Sequence, residues 1–304
     1  CSSWLESLIV GALPKVGKMN LAYFADKRGR VLTEMSLMRY GLEDYILITA
    51  ASAQWHDYEF LKGNLPANNK LSLTDISKSV STLIVTGPQS RLLLKKLTSA
   101  DLEKPWLSVQ KAKIGNYAVS LARVSFAGEL GWEIHSENKD IRVIYKKIIA
   151  CGAKPFGMFA LNSLRIEKGY KTWKGDLSTD YSVLETGLER FVRLDKRENF
   201  PGKSAILVEK QRGVRKRAVT LSLDLKEFDA PYMSTLWKNN EIVGEVTSGA
   251  WGYRVNKSIA LAMVRSEFAN SGQQLEVDVF GKRVCAVISE VPALWDPKNE
   301  RITA

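Results

Sequence analysis

A glutamate set between two large apolar residues is the strongest chemical feature of this 304-residue chain. In Ser125-Phe126-Ala127-Gly128-Glu129-Leu130-Gly131-Trp132-Glu133-Ile134, a strand starting near Gly131 puts Trp132 and Ile134 on one face and Glu133 on the other. A carboxylate in a largely buried hairpin needs a donor, and a heterocycle offering paired N–H groups supplies one. The same periodicity fits an exposed Glu on the solvent face of an edge hairpin, so spacing alone leaves both readings open. Other chemistry has no signature here. There is no Gly-x-Gly-x-x-Gly, no phosphate-binding Gly-x-x-x-x-Gly-Lys-Ser/Thr loop, no Gly-x-Ser-x-Gly elbow and no His-Glu-x-x-His. His56 and His135, the two histidines, lack Cys or His neighbours at metal-ligand spacing and give Ser-His or Cys-His catalysis little support, so no metal site is expected. What remains is chemistry that carboxylates and aromatics do for a bound organic cofactor.

The elements that must position these residues follow from periodicity and turn chemistry. Residues 20–24 and 31–39 read as strands around Asp26-Lys27-Arg28-Gly29, a hairpin, and 45–49 reads as a third strand before a helix over 52–61. The strand 82–86 ends at Gly87-Pro88, and Leu92, Leu93 and Leu97 predict a helix over 89–97. Residues 116–124 and 131–135 flank the loop 125–130 as a second hairpin, and helices are expected over 140–150 and 158–168. Leu5, Leu8 and Ile9, at i, i+3 and i+4, predict a helix already under way over residues 1–13. With Cys rather than Met at position 1, the chain reads as one trimmed at its N-terminus.

Composition bounds the rest. The chain carries 44 Lys+Arg against 33 Asp+Glu, a net charge of +11, and 45% hydrophobic residues, enough to bury about two domains' cores. No run approaches the roughly 18 apolar residues of a membrane helix, so no membrane partner is expected. Cys1, Cys151 and Cys285 are too scattered for a disulfide framework, which predicts a reducing compartment: cytoplasmic, or the mitochondrial matrix if the protein is eukaryotic. Between residues 196 and 217 stand eight basic and two acidic residues. Within it, residues 210–217 read as a solvated connector between modules; the cations also fit an electrostatic guide for a polyanionic ligand or, least favoured, a nucleic-acid contact. No aromatic lies among the cations of 203–217, so no nucleic-acid partner is expected. Beyond it, short strands separated by Asn-Asn, Ser-Gly and Gly-Lys turns predict an all-β module. The expected division is a first domain over 1–208 and a second over 209–304.

The segment around Glu133 resembles the Gly-Glu-x-Gly-Trp/Phe-Glu motif of the aminomethyltransferase superfamily, which includes the glycine cleavage T-protein and the folate-binding portions of dimethylglycine and sarcosine dehydrogenases. Four further stretches agree in order: Lys27-Arg28-Gly29-Arg30-Val31 with Glu34 after it, Gly87-Pro88, Ala160 through Tyr170, and Gly244-Glu245-Val246-Thr247-Ser248-Gly249. Phe200-Pro201-Gly202-Lys203 and Asp296-Pro297 also fit, so the resemblance spans about residues 13–297. Gly-Glu-Leu-Gly-Trp-Glu, and Leu161 where T-proteins usually carry an Arg, are more similar to the dimethylglycine and sarcosine dehydrogenase branch.

The resemblance implies an α+β folate-binding aminomethyltransferase-like domain plus a C-terminal small β-barrel, arranged around a central channel for tetrahydrofolate. It implies that Glu133 binds the pteridine ring and that Phe126, at the position of a family Tyr, lines the folate. Glu34 falls where the family usually has the Asp that acts beside the reacting folate nitrogens; its plain alternative is an exposed strand residue. Tyr170 and Trp173 are folate-wall candidates by the same comparison, and equally plain core. The implied activity is capture of a methylene or iminium unit from N-methyl amine oxidation, giving 5,10-methylenetetrahydrofolate. The implied partners are folate, a small N-methyl amine, and an FAD-binding oxidoreductase domain upstream on the same polypeptide, so FAD is expected there and not in this chain. A stand-alone aminomethyltransferase or related demethylase, and a folate-binding module without chemistry, are the alternatives.

Overall fold

β-Branched and aromatic residues on either side of a Gly-containing turn draw the start of the chain into a sheet. The computed structural model describes residues 1–67 and 70–304. In it β1 (Lys18–Ala25), β2 (Val31–Arg39) and β3 (Tyr45–Thr49) pair antiparallel in that order. Asp26 holds the β1–β2 turn, accepting from the backbone N–H groups of Arg28 (2.8 Å) and Arg30 (3.0 Å), while Gly29 supplies a φ of +77°. After α1 (Ser2–Glu6) and α2 (Gln54–Gly63), a second antiparallel sheet forms from β4 (Val80–Thr86), β5 (Val109–Ile114), β6 (Tyr117–Ala122) and β7 (Gly131–Glu137). Its order is β4-β7-β6-β5. Between β4 and β5 comes α3 (Ser90–Lys95), and α4 (Asn138–Ala150) packs Ile144 and Ile148 against Trp132, Ile134 and Leu121 of this sheet.

Past α5 (Met158–Glu167) and α6 (Lys203–Arg212) the chain closes a six-stranded barrel. Its strands are β8 (Lys216–Leu223), β9 (Thr235–Lys238), β10 (Glu241–Gly252), β11 (Lys257–Arg265), β12 (Gln274–Val279) and β13 (Lys282–Ile288), and α7 (Glu300–Thr303) follows. Alternate residues such as Leu221, Leu223, Ala260, Ala262, Val277 and Val279 fill the interior, and the small alanines keep it narrow. The α+β fold with a small C-terminal barrel is therefore as expected. The barrel docks on α5: Ser163 Oγ donates to the Trp251 carbonyl at 2.6 Å, and the Glu167 carboxylate accepts from Arg254 N at 2.6 Å and pairs with the Arg254 guanidinium.

One expectation is corrected. The helix expected over 1–13 stops at Glu6. Val10 N donates to the Tyr23 carbonyl and Arg193 N to the Val10 carbonyl, both at 2.9 Å, so tertiary partners take backbone groups that a longer helix would use internally. The start of the basic stretch is tied into the first domain. Lys196 Nζ donates to the carbonyls of Glu6 (2.6 Å), Ile9 (2.6 Å) and Gly11 (3.1 Å), and Lys203, the first residue of α6, reaches the Lys196 carbonyl at 2.8 Å. Burial lowers the Lys196 ammonium to about 8, yet it remains the cation on which the N-terminal segment closes. Lys196→Met is expected to lower stability by about 1.5–3 kcal/mol, read by urea denaturation. An unchanged midpoint would show that water replaces these bonds without loss. Residues 208 and 209 lie within α6, and the first barrel strand begins at Lys216.

Candidate functional site

Tyr23 and Glu34 are direct partners across β1 and β2. Cross-strand partners project to the same face, and here that face looks toward α5 and the loop that follows it. Tyr23 is buried with Trp173, Leu177 and Leu184, and its ring packs on Phe191 with centroids 5.0 Å apart. Burial, and next the negative charge of Asp176, push the Glu34 carboxyl up to about 7. Lys171, a hydrogen bond from Tyr23 and the charge of Arg165 act against that rise. Burial in turn lowers Lys171 and raises Tyr23 well above the usual phenol value. A carboxyl poised between its two protonation states near neutrality is the arrangement that proton transfer requires.

Behind Glu34 lies a buried ion pair. Arg165 of α5 donates Nη1 to Asp176 Oδ2 at 2.7 Å, with the two side chains 4% and 2% exposed. The remaining polar atoms are satisfied: Arg165 donates to Asn162 Oδ1, the Tyr170 carbonyl and Ser248 Oγ, and Asp176 accepts from Thr172 and from Thr247 Oγ1 at 2.6 Å. Thr247 and Ser248 belong to the Gly-Glu-Val-Thr-Ser-Gly stretch of β10, which accounts for that motif: the barrel strand holds the ion pair that sets Glu34's surroundings.

Phe126 and Tyr170 stack with centroids 5.9 Å apart and planes inclined by 13°. Burial pushes the Tyr170 phenol up to about 12. Arg190 links this pair to Glu34's neighbours, since its charge acts on Tyr23, Tyr170 and Lys171 alike. The loop that carries Phe126 is set by Gly128 at φ +64°, where a Cβ would meet the Lys168 side chain at 2.7 Å. Lys168 is itself fixed by Asp296 Oδ2 at 2.8 Å, so the late Asp-Pro stretch buttresses the same loop.

Glu133 lies at the start of β7, opposite Ile84 of β4 and Ala122 of β6, while Trp132 and Ile134 enter the core. Its side chain is 18% exposed, and its closest polar neighbour is His135 Nε2 at 3.4 Å, too long for a well-formed hydrogen bond. The carboxylate therefore retains capacity for paired donors. Trp173 packs into the apolar cluster beneath Tyr23 and stacks on His56, centroids 6.2 Å apart. Glu34, Tyr170 and Phe126 thus share one neighbourhood, Trp173 lines its base, and Glu133 stands on the adjoining sheet. Tyr23, Lys171, Asp176 and Arg190 went unread in the sequence; Arg165 stood inside a quoted motif without a role.

A family model, "GCVT N-terminal domain", matches residues 1–196, and a second, "Glycine cleavage T-protein C-terminal barrel domain", matches residues 216–294. The chain belongs to the glycine cleavage T-protein family. It is 34% identical over 307 residues to mitochondrial dimethylglycine dehydrogenase from Homo sapiens, covering 98% of this chain and 36% of that protein. It is 30% identical to an aminomethyltransferase from Thermoanaerobacter pseudethanolicus, covering 94% of this chain and 79% of the other. The chain thus spans about a third of the dehydrogenases that it matches. The crystal structure of glycine cleavage system aminomethyltransferase T from Bartonella henselae shares the fold, with a TM-score of 0.85 over 96% of this chain and 81% of that one at 21% identity. The T-protein family match covers both sides of the site: the sheets bearing Glu34 and Glu133, and the barrel strand that holds Asp176. No helix among the described residues is long and apolar enough to cross a membrane.

Proposed function

We propose that this T-protein family member is a tetrahydrofolate-dependent one-carbon transfer domain, taking up the methylene or iminium unit formed when an N-methyl amine is oxidised. The single observation that carries the reading is Glu34, a half-buried carboxyl raised to about 7 beside Tyr23 and Lys171. Bound tetrahydrofolate supplies the nucleophilic nitrogen. Glu34, as carboxylate, takes the proton that this nitrogen loses and passes it to the amine that departs as its bond to the transferred carbon breaks, Glu133 accepts paired N–H groups of the aminopyrimidine edge, and Phe126 with Tyr170 flanks the ring system. The free acceptor capacity of Glu133 and the stacked aromatic pair support this fit. Trp173 backs the wall through Tyr23.

The reading extends upstream by the coverage of the relatives: an FAD-binding oxidoreductase domain on the same polypeptide would generate the electrophile. A second reading, a stand-alone aminomethyltransferase, is favoured by the 79% coverage of the Thermoanaerobacter protein. The upstream coding sequence decides, since only the first requires a Gly-x-Gly-x-x-Gly after an opening strand.

Glu133→Ala is expected to weaken tetrahydrofolate binding by at least about 100-fold, the loss of two charge-assisted bonds, while the melting temperature stays nearly unchanged. Calorimetric titration checks it, and an unaltered affinity would remove Glu133 from the binding site.

A further inference from the structure

We propose that Tyr23 is a positioning residue for Glu34, its hydroxyl reaching across the β1–β2 pair to hold the carboxyl in the one orientation from which it exchanges a proton with a bound ligand. A glutamate side chain has three rotatable bonds, and a proton acceptor must keep its oxygen within hydrogen-bond reach of the proton that it takes. Something other than its own strand must therefore fix the Glu34 carboxyl. The register puts Tyr23 directly opposite Glu34. The Tyr23 ring has little freedom of its own, being 4% exposed and wedged against Phe191, Trp173 and Leu177. A rigid phenol beside a flexible carboxyl is the geometry of an orienting donor, as a third group orients a catalytic base elsewhere.

The other charged groups around Glu34 act by charge. Lys171 and Asp176 face it from the loop after α5, and Arg165 from α5 itself; Arg190 acts on Tyr23 and Lys171. Arg165 and Asp176 are engaged with each other. Of these groups, Tyr23 is the one that stands directly opposite Glu34 across the strand pair, and its hydroxyl acts on the carboxyl as a donor to the charged form.

The catalytic part of this inference rests on the one-carbon transfer proposed above; the titration part does not. Infrared difference titration of the full chain, with Glu34→Gln as the blank, reads the Glu34 carboxyl directly whether or not tetrahydrofolate is turned over. Tyr23→Phe removes one oxygen and is expected to raise that midpoint by about one pH unit, because a donor that favours the charged form is lost. In the transfer assay the same variant is expected to lose about tenfold in kcat, with KM for tetrahydrofolate within about twofold of the unsubstituted protein. In a Glu34→Asp background, whose shorter side chain falls short of the hydroxyl, Tyr23→Phe is expected to add nothing further. An unmoved midpoint in Tyr23→Phe overturns the inference, as does an equal effect of the substitution in the unsubstituted and Glu34→Asp backgrounds. A wild-type titration as expected without any folate-dependent transfer would instead leave the Tyr23–Glu34 pairing standing and overturn the functional reading.

Discussion

Glu34→Gln is expected to leave the protein folded and to reduce tetrahydrofolate-dependent transfer by about 10²- to 10⁴-fold, the contribution that a positioned general base makes. Glutamine keeps the volume and one carbonyl oxygen but takes no proton. The unsubstituted protein should show its rate rising with pH through about 7, since the carboxylate form is the one that accepts the proton. The sign follows from the shift: burial favours the neutral acid, so below 7 most of the protein carries a protonated Glu34 and is idle. The Gln variant's residual rate should lack this limb. Stopped-flow or single-turnover rates across pH 5.5 to 8.5, roughly 1.5 units on either side, check both halves. A Gln variant that keeps the same acid limb would assign that ionisation to another group.

The second large effect concerns stability. Arg165→Met leaves Asp176 as an uncompensated charge at 2% exposure and is expected to destabilise the fold by about 3–5 kcal/mol. Urea denaturation of the purified variant measures it. Replacing both partners, Arg165→Met with Asp176→Leu, should recover much of that loss, because apolar side chains of similar volume need no donors. Failure of the double variant to recover would mean that the surrounding donors and acceptors, Thr172, Thr247 and Ser248 among them, carry the cost instead. Either variant changes what Glu34 feels. In the double variant Asp176 no longer raises its pKa and Arg165 no longer lowers it, so the acid limb should shift less than either change alone would produce.

How far the residues alone led depends on which contacts are local. The alternation of Trp132, Glu133 and Ile134, the Asp26 to Gly29 turn and the short barrel strands are local, and each is realised. Leu5, Leu8 and Ile9 are indeed buried, at 0%, 5% and 0% exposure, yet only the first lies in a helix. Helical spacing reported burial faithfully while backbone bonds to Tyr23 and Arg193 decided the conformation. The Tyr23–Glu34 pairing was hidden by an irregularity: Ala25 pairs with Val31 but Phe24 with Thr33, so the register shifts by one between them. Counting back from the turn without that bulge pairs Tyr23 with Thr33. Arg165, Asp176 and Thr247 come from a helix, a loop and a barrel strand, and nothing short of the assembled fold brings them together.

The hydroxyls of Thr247 and Ser248 have a consequence for recombination within the family. They belong to the barrel, touch neither Glu34 nor Glu133, and yet they steady the two charges that face Glu34. A chimera whose donor barrel lacks these two hydroxyls inherits a different acidity at a carboxyl in the other half of the molecule. Grafts chosen only for a well-packed seam will therefore differ in the pH at which they work, and the two residues at 247 and 248 are the place to retune them.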